Sequence, residues 1–186
     1  MKTDERQLIV RILSGHAEEY GYFLDRYGPQ VFALVARLVS AQLDAEEITQ
    51  DAFIRAFTAL GTFDFRSEFS TWVSRIAYNC AVQFLRKRKR DVVVDIDEAQ
   101  LADISDRMAD EVLSADSDDR ISALNRAVEL LPPDDRALLT LFYYENRSIS
   151  DIAYILSLKE SNVAVRLYRV RKRLCVLIKR LENESR

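Results

Sequence analysis

Apolar positions along this chain recur at intervals of three and four, the spacing of one face of a helix, and almost nowhere at intervals of two. Segments 20–24 and 31–38 are apolar-rich, and Gly28-Pro29 between them predicts a turn or kink separating two helices. Asp44 followed by Glu47 has the form of a capping box. From there Ile48, Ala52, Phe53, Ala56, Phe57 and Leu60 make one stripe that stops at Gly61. The next stripe, Trp72, Val73, Ile76, Ala77, Cys80, Ala81, Phe84 and Leu85, runs into the cationic string RKRKR at 86–90. Farther on, Pro132-Pro133 precedes a helix predicted over 136–144, and 148–174 reads as helix, tight turn, helix. Ser148 and Asp151 form a capping-box-like start there, Ile152, Ala153 and Leu156 face inward, Ser157-Leu158-Lys159 make the turn, and the second helix begins near Glu160 or Ser161. The only strand-like run, residues 92–94, is too short to build a sheet, so the pattern predicts an all-α protein.

Composition agrees with helices and narrows the class. The 186 residues are 48% hydrophobic and 31% charged, with only 4 Gly and 3 Pro, the profile of one or two soluble domains. The longest uncharged stretches, 27–36 and 76–85, have ten residues each, half of the roughly 20 that cross a bilayer. The opening MKTDERQLIV is charged and lacks an apolar region with a cleavage site, so no secretory signal is expected and the chain is placed in the cytoplasm. Cys80 and Cys175 lie 95 positions apart and His16 is the only histidine, which supplies neither a disulfide framework nor a zinc site. No metal, cofactor or small-molecule substrate is therefore expected. Cys80 belongs to an apolar stripe and reads as a small core hydrophobe, and His16 as an ordinary surface residue.

Charge is segregated. Residues 91–119 hold eleven acids against the single base Arg107, a net of -10 in a chain whose total is -3, which leaves +7 for the flanking blocks. Residues 66–90 carry seven Lys or Arg against Glu68, and residues 159–180 carry eight against Glu160. Each basic run taken alone is as well explained by a solvated helix face; two runs flanking an acidic stretch favour phosphate-facing surfaces. The acidic stretch has no aromatic residue and only scattered aliphatics, so it is expected to be a mostly flexible linker, with a short helix near 106–115. The chain divides accordingly into residues 1–90, a linker at 91–119, and residues 120–186.

Three places carry candidate chemistry. Opposite the apolar stripe of 44–60 lie Glu46, Glu47, Gln50, Asp51 and Arg55, an acidic start that suits either solvent or a partner. The connector TFDFRSEFSTW at 62–72 interleaves Phe63, Phe65, Phe69 and Trp72 with Arg66, Ser67, Ser70 and Thr71. Those rings either close the core beneath a loop or stack on unpaired bases. In the last helix Val163, Leu167, Val170 and Leu174 fall on one side, while Asn162, Arg166, Arg169 and Arg173 share a flank. Asparagine can pair with adenine, arginine with guanine or phosphate, so this flank suits a recognition helix in a major groove, against the plainer reading of a helical hairpin with a basic coat.

Taken together, DAEEITQDAFIRAFTALGTF, FSTWVSRIAYNCAVQFLRKRKR and LLPPDDRALLTLFYYENRSISDIAYILSLKESNVAVRLYRVRKRL resemble bacterial sigma factors of the extracytoplasmic-function group, in the right order and spacing over roughly 20–90 and 120–178. The resemblance implies two small helical domains, region 2-like and region 4-like. The implied protein is no enzyme but a dissociable subunit that binds core RNA polymerase, through its beta-prime clamp and beta subunit, and directs it to promoters. Asp44, Glu47, Gln50 and Asp51 match the part that docks on the clamp. Phe63, Phe65, Arg66, Ser67, Ser70, Thr71, Trp72, Arg75, Asn79, Arg86 and Arg88 match the part that recognises and melts the minus-ten element, with a flipped base held by the connector. Ser161, Asn162, Val165, Arg166, Arg169 and Arg173 match the helix that reads the minus-thirty-five duplex. Ala164 and Val165 stand where the family often carries basic or hydroxyl residues, and apolar contact with thymine methyl groups is the substitute they allow. An anti-sigma partner is implied as well.

The linker has the reach this scheme needs: about 30 residues extend at most about 100 Å, and two turns of B-DNA span about 70 Å. Its charge suits a basic channel that otherwise holds nucleic acid. The competing function is a helix-turn-helix regulator that acts without polymerase, which would have no need of an aromatic, basic first domain. An all-helical enzyme has no nucleophile-base pair, metal-ligand spacing or glycine-rich phosphate loop in its favour.

Overall fold

The structure is a computed structural model and describes residues 3–39, 41–88, 98–105, 107–108 and 118–184. Every regular element in those residues is helical, as the apolar spacing predicts. The first group comprises α1 (Thr3–Leu13), a 3-10 turn (Ala17–Tyr20), α2 (Gly21–Leu38), α3 (Gln42–Thr58), a second 3-10 turn (Leu60–Thr62) and α4 (Phe69–Arg88). After a short α5 (Glu98–Ala102) comes a second group: α6 (Asp118–Glu129), α7 (Pro133–Leu139) running into a π-helical turn (Thr140–Tyr144), α8 (Ile149–Leu156) and α9 (Glu160–Glu184). The strand-like run 92–94 lies outside the described residues.

In the first group α2, α3 and α4 pack side by side. Ala45, Ala52 and Ala56 of α3 and Ala77 and Ala81 of α4 are all fully buried, and side chains this small let helix axes approach closely. Phe23, Leu34, Val35 and Leu38 of α2 fill the remaining space. The expected break at Gly28-Pro29 does not occur, and α2 runs through Pro29 without interruption. A proline inside a helix costs about 3 kcal/mol. Phe23 on one side of it and Val31, Leu34 and Val35 on the other are buried in the same core, and that shared burial offsets the cost.

Helix α3 begins at Gln42, two residues before the expected start, and its N-cap Ala41 has no side chain able to cap. Asp44 therefore sits inside the first turn, where its charge complements the helix dipole, and the Asp44/Glu47 capping box is not formed. The helix ends at Thr58 with Ala59 as its C-cap, and Gly61 lies in the 3-10 turn beyond it. Helix α1, which the stripe analysis does not single out, is held by buried Ile9 and Ile12. It is held too by the nearly covered Glu5, which lies 3.3 Å from Arg26 and accepts a 2.6 Å hydrogen bond from Tyr27.

The second group follows its sequence signals closely. Ser148 Oγ accepts from the Asp151 amide at 3.1 Å and starts α8 as a capping residue should. Ser157 takes the left-handed conformation (φ 57°) that turns the chain, and α9 begins at Glu160. Part of the linker is docked where a mostly flexible stretch is expected. A helix is described at Glu98–Ala102, Arg107 and Met108 of the expected 106–115 are helical while the rest of that span lies outside the described residues, and Leu101 and Ile104 are buried against Cys175 and Val176 of α9. Two aliphatics three positions apart, too sparse to register as a stripe, dock this part of the acidic stretch on α9, with Met108 packed against them.

Candidate nucleic-acid interface

The connector aromatics are built into the core. Phe69 lies 4.1 Å from Phe23 between ring centres, Phe63 lies 5.1 Å from Trp72 and 4.9 Å from Phe65, and Phe63, Phe69 and Trp72 are all buried. Tilted ring pairs at these distances add about 0.5–1.5 kcal/mol each beyond the area they bury. Only Phe65 is partly open. It adopts φ 61°, a conformation uncommon for a bulky residue, with Arg6 4.9 Å over its ring. The Arg66 amide donates to Asp64 Oδ1 at 3.1 Å to close the turn, and the Arg66 side chain is 87% exposed.

Along α4 the candidate residues separate by exposure. Asn79 and Arg86 are exposed, Arg75 is half-buried with its guanidinium 4.6 Å over the Tyr154 ring, and Ser70 and Thr71 are covered by the second domain. The side chain of Arg88 and residues 89–90 lie outside the described residues. Burial pushes the Cys80 thiol above its ordinary value, in keeping with a core residue, and His16 is exposed.

On α9 the predicted apolar side is buried: Val163, Leu167, Val170 and Leu174. Facing outward are Ser161, Asn162, Val165 and Arg169. Tyr168 joins them, exposed and carrying Lys172 4.7 Å over its ring, a residue the charge pattern does not pick out. Arg166 and Arg173 point elsewhere. Arg166 Nε donates to Asp135 Oδ1 at 2.7 Å and Arg173 Nη1 to Asp135 Oδ2 at 2.6 Å, and Asp135 has no exposed surface. Burial opposes the charge of Arg166, and Asp135 with Asp134 outweighs it, so that the guanidinium is raised above its ordinary value. The pattern of acids in PPDDR and arginines in α9 holds this arrangement in sequence, but only the fold reveals that they meet.

An apolar groove of about 680 Å³ lies between α2 and α3, lined by Tyr20, Leu24, Gln50, Phe53, Ile54 and Phe57. Glu47, Gln50 and Asp51 are exposed, and Asp44 is half-buried. Leu43 at 79% and Ile54 at 63% are unusually open for aliphatic side chains, and both fall off the buried stripe that the apolar spacing marks. Among the described residues no group of three or more His, Cys, Asp or Glu is placed to hold a metal ion, and no helix is long and apolar enough to cross a membrane.

The family model for Sigma-70 region 2 matches residues 23–91, and that for Sigma-70 region 4 matches residues 121–174. The extracytoplasmic-function sigma factor SigW of Bacillus subtilis strain 168 is 30% identical, over 91% of this chain and 94% of its own. The chain belongs to the extracytoplasmic-function sigma factors of RNA polymerase. The sigma-E factor of Escherichia coli strain K12 is 29% identical over 90% of this chain and 91% of its own. Among solved structures, the sigma factor RpoE of Bartonella quintana, in complex with the anti-sigma factor NepR, superposes with a TM-score of 0.63 at 24% identity, covering 87% of this chain and 98% of that one. Sigma factors are non-enzymatic subunits that direct transcription initiation, and this sigma factor carries its region 2 match on α2–α4 and its region 4 match on α6–α9.

Proposed function

We propose that this sigma factor holds core RNA polymerase through the α2–α3 groove, engages the minus-ten element through the connector and α4, and reads the minus-thirty-five duplex with α9. The observation that carries the proposal is the outward row of α9, where Ser161, Asn162, Val165 and Arg169 stand exposed over a fully buried side. A helix so placed presents hydrogen-bonding and apolar groups to base edges without giving up core contacts. Arg166 and Arg173, bound to Asp135, fix the helix on α7 and leave Arg169 as its exposed cation.

The polymerase side is supported by an apolar groove lined by the open aliphatic Ile54 and by Gln50, on a helix that also exposes Leu43, Glu47 and Asp51, a combination that suits a partner with apolar anchors and a basic rim, the beta-prime clamp. For the minus-ten element, Arg66, Asn79 and Arg86 offer exposed donors beside the half-open Phe65 ring. Because the Bartonella quintana RpoE was solved with an anti-sigma factor, we extend the same class of partner to this chain.

The test is transcription in vitro by purified core polymerase on fragmented genomic DNA, with and without the protein, mapping RNA 5′ ends. Defined starts that appear only with the protein, preceded by two shared elements about 70 Å apart along B-DNA, are expected. A protein that binds core but yields no shared upstream elements overturns the promoter assignment, and one that does not bind core overturns the polymerase assignment.

A further inference from the structure

The connector holds one residue in a backbone conformation that its side chain does not favour. Phe65 has φ 61°, and in a bulky residue a left-handed backbone persists only where the surroundings impose it. Asp64 closes the turn from within, accepting the Arg66 amide at 3.1 Å and lying 3.3 Å from the Arg66 Nε. The ring itself is held by Phe63, 4.9 Å away between centres, and from outside the connector by the Arg6 guanidinium, 4.9 Å over its centre.

Helix α1 brings Arg6 there on a firm support. Glu5, Ile9 and Ile12 fall on one face of α1 and are buried, and Arg6 stands beside that face on the exposed surface. Ile9 and Ile12 belong to the same apolar core as Phe63 and Phe69, so α1 and the connector are seated on a common base. Glu5 makes a second link, because the Tyr27 hydroxyl that donates to it at 2.6 Å belongs to a ring 5.7 Å from Phe69. Helix α1 therefore braces the connector at two points, although it precedes the residues that the region 2 model matches.

A guanidinium on a ring differs from an apolar plug in what it leaves open. It is attracted to the ring face while its remaining donors stay in water, so it steadies an exposed loop without covering it. Arg66, whose side chain is 87% exposed, follows Phe65 directly and takes its place from that turn. We propose that Arg6 is a positioning residue for the minus-ten element: by holding Phe65 in its left-handed turn it sets where Phe65 and Arg66 meet an unpaired base, and so which base the connector accepts. The proposal rests on the reading of the connector given under Proposed function.

The holoenzyme tests this. Transcripts are sequenced from a promoter library randomised in the minus-ten element, with the minus-thirty-five element of a mapped promoter kept constant, and give the base preference at each position. Arg6→Ala is expected to lower the preference at the position read by the connector by about threefold, the weight of one exposed cation–π contact. Arg6→Lys, which returns a cation to the ring, is expected to recover it. Phe65→Gly keeps the turn, since glycine takes a positive φ freely, and removes the ring. Adding Arg6→Ala to Phe65→Gly is expected to cost nothing further, because the two side chains act as one unit. Arg66→Ala reports on the connector independently of α1.

A preference lost in Arg66→Ala but unchanged in Arg6→Ala overturns the positioning role alone. A preference unchanged in Arg6→Ala, Phe65→Gly and Arg66→Ala overturns the reading of the connector together with it. An equal loss of transcription on every minus-ten sequence, or a full further loss when Arg6→Ala is added to Phe65→Gly, overturns action through Phe65 and makes Arg6 a phosphate contact in its own right.

Discussion

The two candidate DNA surfaces are held in opposite ways. On α9 the side chains proposed to read bases, Asn162, Val165 and Arg169, are open to solvent, and what fixes the helix is an ionic contact at the edge of the same face, where one fully covered carboxylate, Asp135, receives Arg166 and Arg173. On the connector and α4 the support is apolar, a cluster of Phe63, Phe69 and Trp72 against α2, and the first turn of the helix is covered by the second domain. A duplex reader needs a rigid helix already on display. A surface for an opened strand needs rings and hydroxyls that stay shielded until a strand exists, because exposed apolar groups attract other partners.

That contrast breaks first at its supports. Asp135→Ala leaves Arg166 and Arg173 without their shared carboxylate and is expected to destabilise the second domain by about 3–5 kcal/mol, the cost of removing one partner from a buried ion pair. Phe63→Ala is expected to cost about as much in the first domain by opening a cavity under the connector. Urea unfolding of each variant measures both. A loss below about 1 kcal/mol for Asp135→Ala would mean that the two arginines reach solvent readily and that the buried contact does not set the pose of α9.

These supports also mark how far the sequence can be read. The helices of the second domain were legible because local signals agree: Ser148 caps, Ser157 turns, and Val163, Leu167, Val170 and Leu174 mark the buried side. Pro29 misleads because a local penalty is outweighed by burial on both sides of it, and Asp44/Glu47 misleads because a capping pattern does not require the helix to start there. The arginine flank of α9 is half legible. Helical phase places Arg166, Arg169 and Arg173 together, but the side on which a long side chain settles depends on what α7 brings near, and Asp134 and Asp135 lie more than thirty positions away. Ile54 escapes notice for the same reason, since an aliphatic outside the buried stripe looks incidental until a groove forms beside it.

The next effect sharpens the division between reading and supporting arginines. Asn162→Ala with Arg169→Ala removes two exposed donors from α9, each worth about 1–3 kcal/mol of discrimination at a base pair. Promoter selection by the holoenzyme should fall by about tenfold or more per residue, with the unfolding midpoint of the free protein unchanged. Sequencing transcript starts from a promoter library measures the loss. Retained selectivity in the double variant would move the reading face to Ser161, Val165 and Tyr168, the remaining exposed members of that surface.

The smallest effect links the two surfaces. Ser148 Oγ accepts from the Asp151 amide at 3.1 Å and donates to Asp151 Oδ2 at 2.6 Å, while Asp151 Oδ1 accepts from Thr71 across the domain contact. Ser148→Ala removes the cap of α8, which costs about 1 kcal/mol, and frees the carboxylate that meets α4. If the cap serves only its own helix, urea unfolding shifts by that amount and energy transfer between dyes on Thr58→Cys and Asn125→Cys, two exposed positions in different domains, is unchanged. If it also holds Asp151 in position for Thr71, transfer falls as well, and restoring the cap with Ser148→Asn recovers stability without the hydroxyl proton given to Asp151. Recovery of stability but not of transfer would therefore assign the coupling between the surfaces to the Ser148 hydroxyl itself.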